Sequence, residues 1–475
     1  MGKFNAKPTM KTVNREGHAA YAMHAKEKLV TQVMTSFINE KKFYGDNTAE
    51  MAETLKAVIK SDPDFVSRLA VFARREFNMR SVSHLIACYL ANVPEGKPYI
   101  RHTVEGIVLR GDDATEIMAC YLSTFGKPIP NGLRRALRDA IAGFDAYTLA
   151  KYKGTNDAVK MRDLFRICRP VPKDEAQSAL WKSLMDGTIA TPYNGESELS
   201  AKGNNAQTWH DLIASGKVGY MAMLRNLRNI EQANPDNIDD VLAKIRDPEA
   251  VRRSRQLPFR FLSAYRSVSS SKMLDALEDA ADASIANMPR IPGRTVIAVD
   301  TSGSMGQSVS GNSDVRCCEI GMMLGLLASR ICDDAIFYTF DWKLSEPKIS
   351  ARSGVLYAAM HEAKANGGTD MSLPIEQIRR KMIKADRIIY ISDNECNSRG
   401  GTIQSLADIY RNEVNPDLWV HTIDLMGYGT QQFAGPKTNI IAGWSEKVLE
   451  FILMAEQGEG TLEKRIAAYE WEAKA

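Results

Sequence analysis

Carboxylates and hydroxyls stand at spacings that suit a hard metal ion in three stretches of the C-terminal part of the chain. Asp300, Ser302 and Ser304 follow one apolar run at every second position. Thr369 lies in a Gly-Gly-Thr-Asp loop, and Asp393 ends a second apolar run. Because all five side chains offer hard oxygen atoms, the set suits Mg²⁺ better than zinc or copper. We therefore predict a metal site formed by these five residues.

Alternating strands and helices must position this set. Runs of Val, Ile and Ala that stop at Asp300 and Asp393 are typical of central strands in a parallel sheet, and open α/β sheets bind ligands at the carboxyl ends of such strands. The pattern predicts strands at 294–300, 335–340, 386–392, 418–424 and, more weakly, 438–441. Helices are predicted at 313–332, 352–365, 372–383, 402–411, 443–455 and 460–473. This order indicates a doubly wound parallel sheet.

Three other interpretations of the Asp-x-Ser-x-Ser element are weaker. In the first, its hydroxyls merely cap the helix near 313, but about ten residues intervene. An aspartyl-phosphate enzyme needs a second acid near the nucleophile, whereas position 302 is Ser. A serine hydrolase needs a Gly-x-Ser-x-Gly turn, which the sequence lacks.

The chain before residue 289 shows a different sequence pattern, which is mainly helical. Residues 1–20 are polar and basic, and we expect an irregular arm. Residues 21–287 show helical periodicity without strand-like alternation, with short loops rich in Gly, Pro, Asn or Asp. Many short helices indicate an α-solenoid of HEAT-like repeats, with a plain helical bundle as the alternative. We predict two domains, 1–288 and 289–475.

Composition narrows the class of protein. The chain has 475 residues, 44% hydrophobic and 25% charged, as in ordinary soluble proteins. No apolar run suffices for a membrane span or a secretory signal. The seven cysteines form no CxxC pair, which favours reduced thiols in a cytoplasmic protein over zinc or disulfides. Net charge is +8 over 1–290 and −5 over 291–475, so the basic part favours a polyanionic partner.

Basic side chains recur along the helical part. Arg162, Arg166 and Arg169 share one helix face, opposite Met161 and Leu164. Planar guanidinium groups bind phosphates and stack on bases. The candidate RNA-binding residues are Arg74, Arg75, Arg80, His84, Arg134, Arg138, Lys151, Lys153, Lys160, Arg162, Arg166, Arg169 and Arg225. For each cluster taken alone, a solvated helix face or a structural ion pair is the simpler interpretation, and for His84 a half-buried core position.

Two resemblances extend these interpretations. The pattern of Asp300, Ser302, Ser304, Thr369 and Asp393 resembles the metal-ion-dependent adhesion site of von Willebrand factor A domains. That resemblance implies direct coordination by the serines and an open position for a partner's carboxylate. The whole chain resembles the TROVE family of Ro ribonucleoproteins. The matching segments are Arg74–Leu90 with its NMRSVSHL core, Lys151–Lys153, Asp163–Arg166, Thr208-Trp209, Met223–Leu227, Leu257–Phe259, Ala298–Met305, Gly367–Pro374 and Ser392–Glu395.

The TROVE resemblance implies a ring of HEAT-like repeats closed by the A domain. It implies that single-stranded 3′ ends of misfolded RNAs enter the ring, that Y-type small RNAs bind its basic outer surface, and that an exoribonuclease can be tethered through such an RNA. The segment Ile167-Cys168-Arg169-Pro170 departs from the family pattern, which has His and Lys before the proline.

The function we expect is RNA binding in RNA quality control or processing, by a monomer that is not an enzyme and carries Mg²⁺. The alternative is a scaffold for metal-dependent protein adhesion. A metal-dependent nuclease is weaker, because the site lacks the paired carboxylates of two-metal chemistry.

Overall fold

A computed structural model describes residues 11–36, 48–154, 158–190, 195–254, 256, 258–285, 288, 290–308, 314–349, 353–397, 403–443, 446–458 and 461–471. The chain forms two compact units, one of residues 40–203 with 465–475, the other of residues 1–39 with 204–464. The packing therefore does not divide at residue 288, where the predicted domain boundary separates helical from α/β chain. Over the described part, no helix is long and apolar enough to cross a membrane.

The unit of residues 40–203 and 465–475 is helical throughout its described part. Its helices are α2 (Thr48–Ser61), α3 (Pro63–Glu76), α4 (Ser81–Asn92), α5 (Ile100–Ile107), α6 (Gly111–Phe125), α7 (Asn131–Ala142), α8 (Ala146–Lys151), α9 (Met161–Cys168), α10 (Glu175–Asp186) and α11 (Gly195–Lys202), with a 3-10 turn at Pro94–Tyr99. Helices close in sequence pack together, α3 on α4 and α5, and α7 on α5 and α9. This local packing is the kind that stacked helical repeats produce.

Hydrogen bonds from backbone amides to aspartate side chains set the N-terminal ends of two of these helices. Asp62 precedes α3 and accepts a hydrogen bond from the Phe65 N–H at 3.0 Å, with Pro63 in the first turn. Asp163 in the first turn of α9 accepts from the Lys160 N–H at 3.2 Å. Both carboxylates satisfy amide groups that the helix itself leaves unpaired.

The other unit begins with strands β1 (Lys11–Val13) and β2 (Ala19–Ala22) and helix α1 (Ala25–Thr35). It continues with α12 (Ala206–Ala214), α13 (Tyr220–Arg225), α14 (Leu227–Ala233), α15 (Ile238–Arg246), α16 (Pro248–Ser254), α17 (Pro258–Tyr265) and α18 (Ser271–Ala283). The expectation of an irregular arm over 1–20 and of no strand over 21–287 is wrong for β1 and β2. Strands of three and four residues are too short to show alternation.

The α/β part follows in the same unit. Its strands are β3 (Ile291–Asp300), β4 (Cys332–Phe340), β5 (Leu344–Ser345), β6 (Arg387–Ser392), β7 (Trp419–Asp424), β8 (Thr430–Gln431) and β9 (Thr438–Ala442). Its helices are α19 (Cys317–Ile331), α20 (Val355–Glu362), α21 (Ser372–Arg380), α22 (Gln404–Glu413), α23 (Glu450–Glu456) and α24 (Leu462–Ala467, which runs on into the other unit), with 3-10 turns at Gly303–Gly306 and Glu446–Leu449. The predicted order of strands and helices is confirmed.

The central sheet has the order β5-β4-β3-β6-β7-β9. All pairs are parallel except β4–β5, which is antiparallel, so the predicted parallel sheet carries one short antiparallel edge strand. Helices α21 and α22 contribute Ile375, Ile378 and Tyr410 to the apolar cluster on one face. On the other face α19 lies so close that a Cβ at Gly325 would stand 2.6 Å from the Val299 side chain. Both faces are therefore covered, as parallel sheets require.

Register brings the predicted carboxylates to one edge. Val299 pairs with Ile391 across β3 and β6, so Asp300 lies level with Ser392, and Asp393 follows directly. Ser392 in turn pairs with Asp424 at the end of β7. A separate small sheet has the order β1-β2-β8.

Candidate functional site

The loop after β3 arranges the first three predicted metal ligands. Asp300 Oδ1 accepts a hydrogen bond from the Ser302 N–H at 2.8 Å, and Asp300 Oδ2 accepts one from the Ser392 hydroxyl at 2.6 Å. The Ser302 and Ser304 hydroxyl oxygens lie 3.1 Å apart. Asp300 and Ser302 are buried. The alternation in the sequence thus places both hydroxyls on one side of the loop, beside the carboxylate.

Asp393 completes the edge from the end of β6. Its Oδ1 accepts from the Glu395 N–H at 3.1 Å, while its Oδ2 is buried and, among the described residues, has no hydrogen-bond partner. Thr369 is buried on the neighbouring loop. Asn397 holds that loop, since its Oδ1 accepts from the Thr369 N–H at 2.7 Å and its own N–H donates to the Thr369 carbonyl at 2.9 Å.

Carboxyl groups are concentrated here, and among the described residues neither Asp300 nor Asp393 forms an ion pair. Burial and the charge of Asp393 raise the pKa of Asp300 to about 7. Burial also raises the pKa of Asp393, against the opposing effect of the Ser304 hydroxyl and the Glu395 N–H. Two like charges in a low-dielectric site destabilise each other, and a cation beside them would relieve that repulsion.

Two further carboxylates, not among the predicted ligands, border the site. Burial raises the pKa of Asp424, at the end of β7, to about 7, and burial with the charge of Asp393 does the same for Glu395. Asp424 Oδ1 accepts from the Met426 and Gly427 N–H groups, both at 2.8 Å. The signal for Asp424 was present in the sequence, because a third apolar run also stops at a carboxylate.

The donor set fits Mg²⁺. Two hydroxyls 3.1 Å apart and a buried carboxylate oxygen that has no hydrogen-bond partner among the described residues offer hard oxygen atoms at one edge of the sheet, and Mg²⁺ takes few protein ligands and keeps several waters. A site rich in thiolate or imidazole would select other metals. No group of three or more His, Cys, Asp or Glu side chains poised to hold a metal occurs in the described part of the chain, so the hydroxyls are essential to this candidate.

A second cluster of predicted functional residues turns out to be internal. Arg74 and His84 are each 2% exposed. Arg74 Nη2 donates to Asp113 Oδ2 at 2.9 Å, and Arg80 Nε donates to Asp113 Oδ1 at 2.9 Å. His84 Nε2 lies 3.2 Å from the same Oδ1, and its Nδ1 lies 3.4 Å from Glu116 Oε2. We call these five residues the Asp113 network.

Ion pairing decides the protonation of this network. Burial alone would raise the pKa of Asp113, but the hydrogen bond to His84 and the charges of Arg74 and Arg80 hold it well below its usual range. Burial disfavours the charged His84, yet its hydrogen bonds to Asp113 and Glu116 raise the pKa of the imidazole. Arg74 and His84 therefore serve as internal counterions and do not offer their charge to an RNA at the surface. Arg80 is mostly engaged in the same way.

Helices α7 and α9 carry the predicted cationic face. Burial raises the pKa of the Cys168 thiol at the end of α9 to about 12, and the guanidinium groups of Arg134 and Arg138 on α7 lower it. These two cations therefore lie near α9. We call Arg134, Arg138, Arg162, Arg166 and Arg169 the α7–α9 basic face.

The two sides of α9 differ as predicted. Met161, Leu164 and Phe165 are buried, with Phe165 5.2 Å from the Trp181 ring. Arg162, Arg166 and Arg169 are exposed. Arg169 adopts a left-handed conformation, φ 51°, where α9 ends. Arg166 is 58% exposed and makes a long contact of 3.5 Å with Asp163, which leaves its guanidinium accessible to a phosphate.

The remaining candidates are scattered. Lys151 lies over the rings of Tyr147 and Tyr152, at 5.6 and 5.3 Å from their centroids. Lys153 and Lys160 are half-buried in the segment that leads into α9. Arg75 donates to the Gly106 carbonyl at 3.0 Å, so it is partly engaged in packing. Arg225 is exposed at the end of α13, in the other unit.

Comparisons with known proteins bear on both regions. The TROVE domain model matches residues 23–194 and 181–288, more than half of the chain. This chain belongs to the TROVE family. The Ro60 vWA domain model matches residues 294–423, so the TROVE segment of this family member is followed by the A-type domain that its sequence predicted.

Relatives of this TROVE protein are distant. It is 24% identical to the RNA-binding protein RO60 of Deinococcus radiodurans, over 58% of this chain and 61% of that protein. It is 25% identical to telomerase protein component 1 of Rattus norvegicus, over 50% of this chain. The match spans 12% of the length of that rat protein.

One solved structure confirms the fold class. The crystal structure of the Deinococcus radiodurans RO (RSR) protein superposes with a TM-score of 0.64 at 18% sequence identity, covering 92% of this chain and all of that one. The predicted succession of a helical region and a von Willebrand factor A domain is thereby confirmed.

Proposed function

We propose that this chain is an RNA-binding protein whose α7–α9 basic face holds the phosphate backbone of a small structured RNA. The observation that carries the proposal is the grouping of five arginines on two packed helices of one unit. Family membership and the name of the Deinococcus relative support the same ligand. Arginine suits phosphate because its planar fork makes paired hydrogen bonds.

The ligand class follows from the shape of that face. Arg162 and Arg166 project from one short helix, Arg169 lies at its C-terminal end, and Arg134 and Arg138 lie beside it. Guanidinium groups grouped in this way suit the phosphate backbone of a folded RNA, which proteins recognise mostly by shape and backbone contacts. We propose Y-type small RNAs for this surface. We further propose that single-stranded 3′ ends of misfolded RNAs bind elsewhere, in the channel that the family resemblance implies.

The test uses the full chain and a Y-type hairpin RNA at several salt concentrations. Replacing Arg162 and Arg166 by Ala should weaken binding at least tenfold and lower the log–log salt slope by about 1.4 to 1.8, because two phosphate contacts are lost. The charge-matched control replaces Lys56 and Lys60 of α2, in the same unit, by Ala. Equal affinities of the arginine variant and the control would contradict the assignment.

A second candidate function, adhesion to a protein, is supported by the edge of the sheet that carries the five predicted ligands. We call the set Asp300, Ser302, Ser304, Thr369 and Asp393 the metal edge. Ser302, Ser304, Thr369, Asp300 and Asp393 would hold Mg²⁺, the two aspartates directly or through water. Bound there, Mg²⁺ would supply a positive charge with an open position for a carboxylate. The buried Asp393 Oδ2, which no described residue satisfies, favours this role. An acidic protein side chain is the partner we propose, and an exoribonuclease held through the RNA is another.

We propose no catalytic activity for either region. Two-metal phosphoryl chemistry clamps the attacking and leaving oxygens between two ions, whereas the hydroxyl-rich set suits one. Incubation of labelled RNA with the protein and Mg²⁺ should leave the RNA intact, and cleavage that D300A removes would overturn this view. We further propose that the protein acts as a monomer in the cytoplasm, in RNA quality control or processing.

A further inference from the structure

The N-terminal hairpin brings an acidic side chain to the metal edge. Strands β1 and β2 pair with Lys11 opposite Tyr21 and Val13 opposite Ala19. In the turn, the Asn14 N–H donates to the His18 carbonyl at 2.8 Å, and Asn14 Oδ1 accepts from the His18 N–H at 2.8 Å. Gly17 has φ +83°, which a residue without Cβ adopts without strain. The tip of the hairpin is therefore a well-formed turn that presents Arg15 and Glu16.

Contacts with residues that follow the metal ligands fix this turn. The buried Asn14 side chain donates to the Cys396 carbonyl at 2.7 Å. The Arg15 guanidinium lies 5.0 Å from the centroid of the Tyr428 ring. The Tyr428 hydroxyl accepts from Gln307 Nε2 at 3.2 Å, three residues after Ser304. The hairpin is thus tied to the β6 end of the site and, through Tyr428, to the loop of the hydroxyl ligands.

Glu16 itself points toward the site. Its Oε2 accepts from Asn397 Nδ2 at 3.2 Å, and the Oδ1 of the same Asn397 accepts from the Thr369 N–H at 2.7 Å. One amide side chain therefore separates the Glu16 carboxylate from a predicted ligand.

This placement costs free energy in the absence of a cation. A third carboxylate beside two buried ones adds repulsion, although Glu16 is exposed on a turn and solvent is available to it. With a divalent cation bound at Ser302, Ser304 and Asp393, the same placement becomes attractive. A carboxylate that belongs to the chain then lies one side chain away from Thr369, a predicted ligand.

We propose that Glu16 is the chain's own ligand for the metal, occupying the position that an acidic partner would take. The inference depends on the proposed metal site. It adds a regulatory consequence, because an acidic protein partner must displace the hairpin tip before it binds. The chemical class of the partner, a carboxylate, is thereby set by the residue it replaces.

The test is calorimetric titration of the full chain with MgCl₂, in buffer free of carboxylates and then with added acetate. Glu16→Gln should weaken Mg²⁺ binding about tenfold in the carboxylate-free buffer. Acetate should restore part of the affinity of the variant and leave the wild type unchanged, because Glu16 already fills the position. Glu249→Gln, at an exposed helical position of the same unit, is the matched control.

Asp300→Asn separates the two proposals. Loss of Mg²⁺ binding in D300N together with unchanged binding in E16Q, and no effect of acetate, would overturn the internal ligand alone. Equal Mg²⁺ binding by wild type and D300N, or none by the wild type, would overturn the metal site and with it the role of Glu16. The expected result is loss of Mg²⁺ binding in D300N and about tenfold weaker binding in E16Q, with acetate acting only on E16Q.

Discussion

Two buried carboxylates of this protein, Asp113 and Asp300, have opposite surroundings. Asp113 receives hydrogen bonds from Arg74 and Arg80 at 2.9 Å each, and these cations with His84 hold its pKa well below the usual range. Asp300 receives hydrogen bonds only from neutral donors, the Ser302 N–H and the Ser392 hydroxyl, among the contacts of the described residues. Burial and the charge of Asp393 raise its pKa to about 7.

The difference separates a structural carboxylate from a binding one. A buried charge with its own counterions is satisfied and needs nothing from solution. A buried pair of carboxylates without counterions gains free energy when a cation binds. The same residue type thus stabilises the fold in the helical unit and, in the A domain, forms part of the metal site that we propose.

The largest loss of stability should come from breaking the Asp113 network. Asp113→Ala leaves Arg74 and His84 buried without their partner, so the free energy of unfolding should fall by about 3–5 kcal/mol. Thermal unfolding followed by circular dichroism measures the change, and Mg²⁺ should not reverse it. Asp112→Ala is the control, since Asp112 pairs with Arg80 and Arg110 nearer the surface and should cost about 1 kcal/mol or less. Similar losses of unfolding free energy in D113A and D112A would contradict the claim that Asp113 is the structural carboxylate.

The second-largest effect is the stabilisation that a bound metal gives at the buried pair Asp300 and Asp393. At a Mg²⁺ concentration one hundred times the dissociation constant, binding should stabilise the wild type by about 2.7 kcal/mol. Asp300→Asn keeps the size and a hydrogen-bond acceptor but removes one charge, so the metal-dependent stabilisation should disappear. Without Mg²⁺ the variant should unfold no earlier than the wild type, because a desolvated charge has been removed. A variant that unfolds earlier without metal would show that the Asp300 charge is structural.

The smallest effect is a pH dependence of the folding stability that His84 contributes in the Asp113 network. The pKa of His84 is raised in the folded state, so its contribution to stability is complete below the unfolded value of about 6.5 and is lost as pH rises through the folded value. Between pH 6 and 8 the wild type should therefore lose more stability than His84→Gln, by at most about 1.4 kcal/mol per pH unit. Parallel pH profiles of the melting temperatures would contradict this sign.

The sequence predicts some parts of this picture well, for physical reasons. Strand ends at Asp300 and Asp393 follow from apolar runs, and parallel pairing brings such ends to one edge. The exposed side of α9 follows from helical spacing, since Arg162 and Arg166 must share a face when Met161 and Leu164 are buried. Arg169 lies past the end of the helix, so spacing alone does not set its direction.

Other parts depend on contacts between distant segments. Arg74 and His84 have the spacing of a basic surface cluster, and only the packing of α4 against α6 reveals Asp113 as their partner. Glu16 lies in a hairpin too short to show a strand pattern, and it reaches the metal edge through Asn397, far away in the sequence. Neither outcome leaves a signal in local periodicity or composition.

Anomalous diffraction from crystals soaked in Mn²⁺ tests the central claim most directly, with Mn²⁺ in place of Mg²⁺. The difference between the two carboxylates predicts a peak about 2.0–2.2 Å from the Ser302 and Ser304 hydroxyl oxygens, beside Asp393, and none at the Asp113 network. No peak at the end of β3 and β6, or a peak beside Asp113, would contradict it.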